Sequence, residues 1–313
     1  MGTSGYRTLI VTDHAFSGNG IKARFVGQSF LGLGSESPGI PSADPDCDPK
    51  LQKMFGTDQI ICYPVNIHST RIGELSARPV SNSDTIHYPI PDIKDVGKVI
   101  PVDADAFVAC YGDLPNELRG HITMALRTWD CANLIFHNLK WKTVAVVHAS
   151  VKSEVGYKSD HDGGIIGKTI ALCGGSKDLF VAVGPCISGV ASPSDSPYEW
   201  DSEDAMHLLD LVRKQHPNIP SSKLNKLIHP KDDEKGKIYL DYGRLIALLL
   251  EDYGVKENYI DFSNNIDTFN TRGWFSERHT RQSEKRTDLS EKEMETILLQ
   301  RKSRFGNIAV AQF

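Results

Sequence analysis

Short apolar runs rich in β-branched residues recur along the chain and predict β-strands. The runs are three to eight residues long and are bounded by polar or turn-forming residues, as is typical of buried strands. The strands are predicted at residues 60–67, 122–126, 132–137, 143–148, 179–183, 308–310 and around 259–262.

Stretches with apolar residues at helical spacing lie between these strands and predict four helices, at residues 163–173, 202–216, 240–253 and 290–304. Ser202 and Asp241 are the expected N-caps of the second and third helices, and Gly254 is the expected stop of the third. Residues 32–49 and 277–292 are predicted loops, and residues 77–101, which contain four prolines, predict a hairpin or an irregular excursion. Helices that alternate irregularly with strands predict the α/β (α+β) class, with a mixed β-sheet and helices on the outer faces.

Composition and charge narrow the classes of function. The 313 residues are 40% apolar and 24% charged, which is ordinary for a globular protein. A formal net charge of −5 argues against a nucleic-acid-binding protein. The lack of an 18-residue apolar run predicts no membrane span, and the lack of a secretion signal predicts a cytoplasmic protein. The six cysteines are scattered without a CxxC pair, so reduced thiols are expected.

Three residues at the ends of predicted strands could carry chemistry, namely His68, Cys131 and His148. Two imidazoles and one thiolate could hold a catalytic zinc with one open position. Their separations of 63 and 17 residues match no local zinc signature, so spacing alone also allows a hydrogen-bonded histidine and a small core cysteine. The same residues could act without a metal, with Cys131 as a nucleophile and His148 or His68 as its base.

Other residues of the sequence allow both a functional and a purely structural interpretation. Asp130 precedes Cys131 and could shuttle a proton or could be a turn residue. Arg71, Lys152 and Arg278 could bind an anion such as phosphate, or could be solvated surface charges. The segment Gly184-Pro185-Cys186 could present backbone N–H groups to a site, or could be a tight turn.

Several of these segments resemble motifs of the laccase-domain family, once named multicopper polyphenol oxidoreductase and now associated with purine nucleoside metabolism. The order of the motifs is right, and together they cover residues 10–313, which predicts a single domain over 1–313. The similar segments are Asn66-Ile67-His68-Ser69-Thr70-Arg71-Ile72 (Gln-Val-His-Gly-Thr-Arg-Val in the family), Thr128-Trp129-Asp130-Cys131 (Thr-Ala-Asp-Cys), Ala145-Val146-Val147-His148-Ala149 (Ala-Ala-Val-His-Ala), Gly184-Pro185-Cys186-Ile187 (Gly-Pro-Ala-Ile), Lys237-Ile238-Tyr239-Leu240-Asp241 (Leu-Asp before a late helix) and Thr268 with Trp274-Phe275-Ser276-Glu277-Arg278 (Cys-Thr, then Phe-Phe-Ser-Tyr-Arg).

The resemblance implies a sandwich fold, a zinc ion, and adenosine or inosine as substrate. It implies phosphorolysis at the ribose C1′ or hydrolytic deamination at purine C6. Zinc would be held by His68, Cys131 and His148, with Asp130 shuttling a proton, and Arg71, Lys152, Ser276 and Arg278 would contact phosphate or ribose.

The chain departs from the family pattern at substrate contacts more than at the three expected zinc ligands. Lys152 stands where the family has arginine, Phe30 where it has asparagine, and Glu277 where it has tyrosine. Lysine cannot reproduce the bidentate phosphate grip of arginine.

The sequence therefore predicts a zinc-dependent enzyme that acts on purine nucleosides with phosphate as a co-substrate, compatible with a homo-oligomer. The alternatives are a cysteine hydrolase or amidase that uses Cys131, and a catalytically weak relative retained as a binding or scaffold protein. A copper enzyme is disfavoured because the chain lacks the His-x-His pairs of multicopper sites.

Overall fold

The computed structural model describes residues 7–11, 14–18, 20–27, 48–64, 69–77, 85–157, 163–188, 199–230, 237–268, 274, 276, 290, 291 and 307–313. The strands in this part of the chain are β1 Arg7–Ile10, β2 Lys22–Gly27, β3 Ile60–Pro64, β4 Ile72–Leu75, β5 Thr85–Tyr88, β6 Val99–Val102, β7 Ala106–Cys110, β8 Ile122–Thr128, β9 Ala132–Asn138, β10 Thr143–Ala149, β11 Leu179–Val183, β12 Glu199–Asp201, β13 Ile228–Pro230, β14 Lys237–Leu240, β15 Ile260–Asp261 and β16 Asn307–Gln312. The α-helices are α1 His14–Ser17, α2 Asp48–Phe55, α3 Val151–Val155, α4 Ile165–Leu172, α5 Ser202–Gln215, α6 Ser221–Asn225 and α7 Tyr242–Asp252, and 3₁₀ turns lie at Ile93–Asp95, Tyr111–Asp113, Asn116–Leu118 and Glu257–Tyr259.

The strands form two large sheets and one small one. The orders are β1-β2-β16-β8-β3-β6 in the six-stranded sheet, β15-β11-β9-β10-β7-β4-β5 in the seven-stranded sheet, and β12-β14-β13 in the three-stranded sheet. The centres of both large sheets are antiparallel, whereas β3 pairs in parallel with β6 and β8, and β4 pairs in parallel with β5 and β7. Both large sheets are therefore mixed, as the irregular order of elements predicts.

The two large sheets pack face to face around a shared apolar core. That core joins side chains of the six-stranded sheet, such as Phe25 and Leu126, to side chains of the seven-stranded sheet, such as Ile135 and Val146. The alternate residues of each strand face outward, because successive side chains of a strand point to opposite faces. The outer face of the seven-stranded sheet is covered by α3, α4, α5 and α7, and that of the six-stranded sheet by α2. The predicted fold class, a mixed sandwich with helices outside, is confirmed.

Three local predictions need correction. Of the two alternatives predicted for residues 77–101, the hairpin is wrong, because β5 joins the seven-stranded sheet and β6 joins the six-stranded sheet, which leaves the irregular excursion. The N-cap of α5 is Asp201, and Ser202 is the first helical residue. Asp241 does occupy the N-cap of α7 but accepts no capping hydrogen bond, and the helix begins at Tyr242 because residues 237–240 belong to β14.

Some predicted segments fall outside the described residues, namely the end of the first strand at 65–67, most of the loops at 32–49 and 277–292, and most of the helix at 290–304. Within the described part of the chain, no helix is both long enough and apolar enough to cross a membrane.

Candidate active site

Cys131 and His148 meet at one end of the space between the two large sheets. Cys131 immediately precedes β9, and His148 lies near the end of the neighbouring strand β10, where it is paired with Asn133. Residues paired across antiparallel strands share a face, so this register directs the imidazole toward the Cys131 side of the sheet. The two side chains form a hydrogen bond.

Asp105 orients the imidazole from the other side and is a site residue that sequence reasoning missed. It immediately precedes β7, and its carboxylate Oδ1 lies 2.8 Å from Nδ1 of His148. Its backbone carbonyl accepts a second hydrogen bond, from the His148 N–H at 2.8 Å. Because Nδ1 is occupied by Asp105, Nε2 is the ring nitrogen left for Cys131. One sequence feature could have identified Asp105. It is an acid directly before the apolar run at 106–109, and it therefore lies at the end of a strand, as the predicted ligands do.

The second carboxylate oxygen of Asp105 binds the segment that follows His68. Oδ2 accepts hydrogen bonds from the Ser69 backbone N–H at 2.5 Å and from Ser69 Oγ at 3.0 Å. Asp105 is completely buried, so these bonds replace the water that the carboxylate would otherwise need. One buried acid therefore fixes His148 and the residue next to His68 in the chain.

The electrostatics of the pair favour a protonated imidazole next to a thiolate when no metal is bound. Burial alone would lower the pKa of His148, but the Cys131 thiolate and the Asp105 carboxylate outweigh it and raise the pKa to about 10. Burial likewise acts to raise the pKa of Asp105, and its bonds to His148 and Ser69 lower it below its ordinary value. A protonated His148 would in turn stabilise the thiolate of Cys131, which is the form of cysteine that binds metals and attacks electrophiles.

Asp130 is buried and held by hydroxyl groups from a distant part of the chain. Its Oδ1 accepts hydrogen bonds from Ser276 Oγ at 2.5 Å and from Thr268 Oγ1 at 3.4 Å, while its backbone carbonyl accepts from the Ile187 N–H at 2.8 Å. The structure thus brings Ser276, a predicted substrate contact, to the acid beside Cys131. The Asp130 carboxylate is therefore buried and fixed in position, and its role as a proton shuttle stays a prediction.

The segment Gly184-Pro185-Cys186 is a tight connection rather than a donor of free N–H groups. The Gly184 N–H donates to the Asn133 carbonyl at 2.8 Å, and the Cys186 N–H donates to the Ile266 carbonyl at 3.1 Å. A side chain at Gly184 would collide with Asn133 and Phe25, so the sheet approaches too closely here for any residue but glycine. Burial raises the pKa of the Cys186 thiol far above its ordinary value, which keeps it neutral.

Two of the predicted anion-binding residues, Arg71 and Lys152, lie at the surface around this end of the sandwich. The Arg71 side chain is 54% exposed and pairs with Asp103 at 3.3 Å, and its backbone carbonyl accepts from the Asp105 N–H at 3.0 Å. Lys152 is exposed on α3, a helix that begins directly after the strand bearing His148. His68 and Arg278 lie outside the described residues.

A further buried acid, Glu154, lies on α3, the helix that follows the strand bearing His148. Its Oε1 accepts from Tyr253 Oη at 3.0 Å, and its Oε2 accepts from the Ile166 N–H at 2.8 Å at the start of α4. Burial raises the pKa of this carboxyl to about 8. Because Tyr253 caps the C-terminus of α7, the acid ties α3 to the start of α4 and to the end of α7.

The described donor set fits part of a zinc site. Zinc binds thiolate sulfur and neutral imidazole nitrogen, and a zinc-bound histidine commonly donates its other ring N–H to a carboxylate, as His148 does toward Asp105. No group of three or more His, Cys, Asp or Glu side chains suited to a metal occurs among the described residues. His68 would have to supply the third ligand, and Ser69, its neighbour, is tied to the Asp105 that orients His148.

A strand-end cysteine, histidine and carboxylate between two mixed sheets define a protein of the laccase-like α/β sandwich class. The family model described as multi-copper polyphenol oxidoreductase laccase matches residues 49–287, and the chain belongs to this family. The resemblance seen in the sequence motifs is thereby confirmed.

Solved structures share the fold over nearly the full chain. The Neisseria meningitidis protein NMB0706, assigned to the DUF152 family, is 19% identical with a TM-score of 0.58 and 97% coverage of each chain. The YfiH protein of Bacillus licheniformis is 16% identical with a TM-score of 0.59 and 98% coverage of each chain. YlmD from Geobacillus stearothermophilus is 18% identical with a TM-score of 0.59, covering 100% of this chain and 97% of its own. A search of curated proteins found no match.

Proposed function

We propose that this chain is a zinc-dependent enzyme that acts on purine nucleosides, by phosphorolysis of adenosine or inosine, by hydrolytic deamination of adenosine, or by both. The observation that carries the proposal is the buried chain of contacts from Asp105 through His148 to Cys131. It has the ligand chemistry and the orienting carboxylate of a catalytic zinc site. The purine nucleoside substrate comes from the family resemblance.

In this proposal His68, Cys131 and His148 hold the zinc. When bound, zinc supplies a Lewis acid that polarises water or orients phosphate beside the scissile bond. Asp105 keeps the His148 imidazole in the tautomer that leaves Nε2 unprotonated for the zinc, because the Asp105 carboxylate accepts a hydrogen bond from the Nδ1–H group.

Asp130 moves the proton. Its carboxylate is buried beside Cys131, and the hydroxyls of Ser276 and Thr268 hold Oδ1 in place. A positioned carboxylate of this kind can accept a proton from an attacking water or deliver one to a leaving purine base. Lys152 and Arg278 would bind phosphate, and Arg71 and Ser276 would contact phosphate or ribose.

The test is turnover of adenosine and of inosine by the zinc-loaded protein, with and without phosphate. Base release and ammonia are followed separately, because the first reports phosphorolysis and the second deamination. Lys152 replaces an arginine, and Glu277 would repel an anion. We therefore expect phosphorolysis to be slow, and deamination, which needs no phosphate, to be less impaired. If the loaded protein converts neither nucleoside by either route, the proposal fails and a binding or scaffold role takes its place.

One observation favours a second candidate, a cysteine hydrolase or amidase. Cys131 and Asp105 contact opposite sides of the His148 imidazole and together raise its pKa to about 10, as in a catalytic triad of nucleophile, base and orienting acid. Zinc ligation and nucleophilic attack therefore both use Cys131 and His148, with Asp105 orienting the imidazole, and only zinc ligation needs His68.

Alkylation with iodoacetamide separates the two candidates. A zinc-bound Cys131 should resist alkylation until a chelator is added, whereas a free low-pKa thiolate should react at once with loss of activity. The Cys131→Ser variant measures the background from the other cysteines, and mass spectrometry locates the modified residue. Rapid modification of Cys131 in the zinc-loaded protein would favour the hydrolase.

A further inference from the structure

We propose that the end of the sandwich opposite Cys131 and His148 binds a small organic anion, made of a flat apolar ring and one phosphate or carboxylate group. A cavity of about 250 Å³ opens there between the two large sheets. It is lined by Gly20, Ile21, Lys22, Tyr111, Arg119, Gly120, Lys142, Gln312 and Phe313. This ligand is additional to the purine nucleoside of the proposed function.

The strand directions place this cavity far from the candidate active site. Lys142 directly precedes β10, and His148 lies near the other end of the same strand. Six residues of extended chain separate them, which corresponds to about 20 Å at ~3.3 Å per residue. A molecule small enough for the cavity cannot contact both.

The floor of the cavity is apolar and held in place. The rings of Tyr111 and Phe313 lie 6.0 Å apart at 49°, and Ile21 is buried beside them. Tyr111 Oη is within hydrogen-bond distance, 2.9 Å, of Nε2 of His137, which is completely buried. The tyrosine ring is therefore fixed from behind and offers its apolar surface to a flat ring, which aromatic side chains bind by offset or edge contacts.

Three cations surround that floor, namely Lys22, Arg119 and Lys142. No ion pair involves any of the three within the part of the chain that the structure describes. None of the described residues that line the cavity is Asp or Glu, so the three cations make the lining positively charged. An anionic ligand is the chemistry that complements this charge.

Hydrogen bonds fix the backbone that carries two of the cations, Lys142 and Arg119. Lys142 has the left-handed φ of 50°, which non-glycine residues rarely adopt, and its carbonyl accepts from the Tyr111 N–H at 2.9 Å. Its stem lies against Gly112, where an added Cβ would be 3.2 Å from it. Gly120, next to Arg119, is held by Gln59 Nε2, which donates to the Gly120 carbonyl at 3.0 Å.

The size of the cavity limits the ligand. Sites for drug-sized molecules usually measure roughly 300–1,000 Å³, so about 250 Å³ suits one ring with one charged substituent. The Arg119 guanidinium can bind phosphate and carboxylate equally through paired N–H groups. The titration below therefore has to show whether the ligand carries a phosphate or a carboxylate group.

The experiment is isothermal titration of the full-length, zinc-loaded protein with four probes. Phenyl phosphate and benzoate carry both ring and anion, inorganic phosphate carries the anion alone, and phenol carries the ring alone. We expect phenyl phosphate or benzoate to bind at one site per chain and more tightly than either half-probe. The stronger of the two identifies the anionic group.

Variants locate the binding. Arg119→Glu and Lys142→Glu should each weaken it by about tenfold or more, because reversal of a contacting charge costs at least ~1.4 kcal/mol, which is tenfold in Kd. Lys226→Glu, an exposed cation after α6, is the matched control and should change it less than twofold. Cys131→Ala should leave it intact, which separates this cavity from the zinc site. If a charge reversal prevents folding, Lys142→Gln should still weaken binding in the same direction.

Four results would overturn the proposal. The proposal would be refuted if neither phenyl phosphate nor benzoate bound. It would also be refuted if the Lys142 variants bound the probe as tightly as the wild type does. Binding that disappears with Cys131→Ala would assign the probe to the candidate active site. Inorganic phosphate that binds as tightly as phenyl phosphate would refute the role of the aromatic floor. None of these results bears on nucleoside turnover, so the proposed function stands or falls separately.

Discussion

Replacement of Asp105 by asparagine tests the candidate active site at the residue that joins its parts. The carboxylate accepts three hydrogen bonds, from His148 Nδ1 at 2.8 Å, from the Ser69 N–H at 2.5 Å and from Ser69 Oγ at 3.0 Å. Asparagine has the same shape but only one acceptor oxygen. If that oxygen remains on His148, the new amide NH₂ faces the Ser69 N–H, and one buried donor loses its partner.

The magnitude follows from these contacts. A buried donor left without a partner costs about 1–3 kcal/mol of folding stability. Loss of the carboxylate behind a metal-bound histidine typically weakens metal affinity by about 10–100-fold. We therefore expect Asp105→Asn to lower zinc affinity by about 10–100-fold, or ~1.4–2.7 kcal/mol, and to destabilise the protein by about 1–3 kcal/mol.

The matched control is Asp103→Asn, which removes the same charge two residues away. The Asp103 side chain is 62% exposed and pairs with Arg71 at 3.3 Å, so its loss should cost no more than about 0.5 kcal/mol. Zinc affinity is measured by competition with a chromophoric chelator on protein shown to be folded, and stability is measured by guanidinium unfolding. If folded Asp105→Asn binds zinc and turns over nucleosides as Asp103→Asn does, Asp105 has no orienting role and the site is wrongly assembled.

Three further predictions address other parts of the molecule. The Glu154 carboxyl has a pKa of about 8 in the folded protein, against an ordinary value of 4.5, so its contribution to folding stability falls as the pH rises between these values. Glu154→Gln, which mimics the neutral acid, should therefore stabilise the protein at pH 9 but not at pH 4. Thermal unfolding measures this, and the control Glu251→Gln should show no such pH dependence. Gly184→Ala should destabilise the protein by about 1–3 kcal/mol in denaturant unfolding, because its Cβ would collide with the Asn133 side chain; an unchanged midpoint would show that the strands can separate. Lys152→Arg should raise the phosphate-dependent rate of nucleoside cleavage, and no change would mean that another cation binds phosphate.

The sequence by itself predicted the elements and the ends of the strands that carry chemistry. Apolar runs located β8, β9, β10 and β11 to within two residues at each end, because burial of successive side chains leaves a local pattern. The same patterns placed Cys131 and His148 at strand ends, and the motif order indicated the family that the comparison confirms. The roles of Lys152 and Arg71 in anion binding stay predictions.

Only the tertiary structure decided which distant residues meet. Asp105 reaches His148 across 43 residues, because β7 and β10 pair antiparallel in the register that sets Ala106 opposite Val147. Ser276 reaches Asp130 across 146 residues. No local periodicity reports such pairings, since strand register depends on the packing of both faces of a sheet and a shift of one residue would turn every side chain to the other face. For the same reason, the spacing of β5 and β6 in the chain could not exclude a hairpin. In the structure, each strand pairs in parallel with a different partner, and the two strands lie in different sheets.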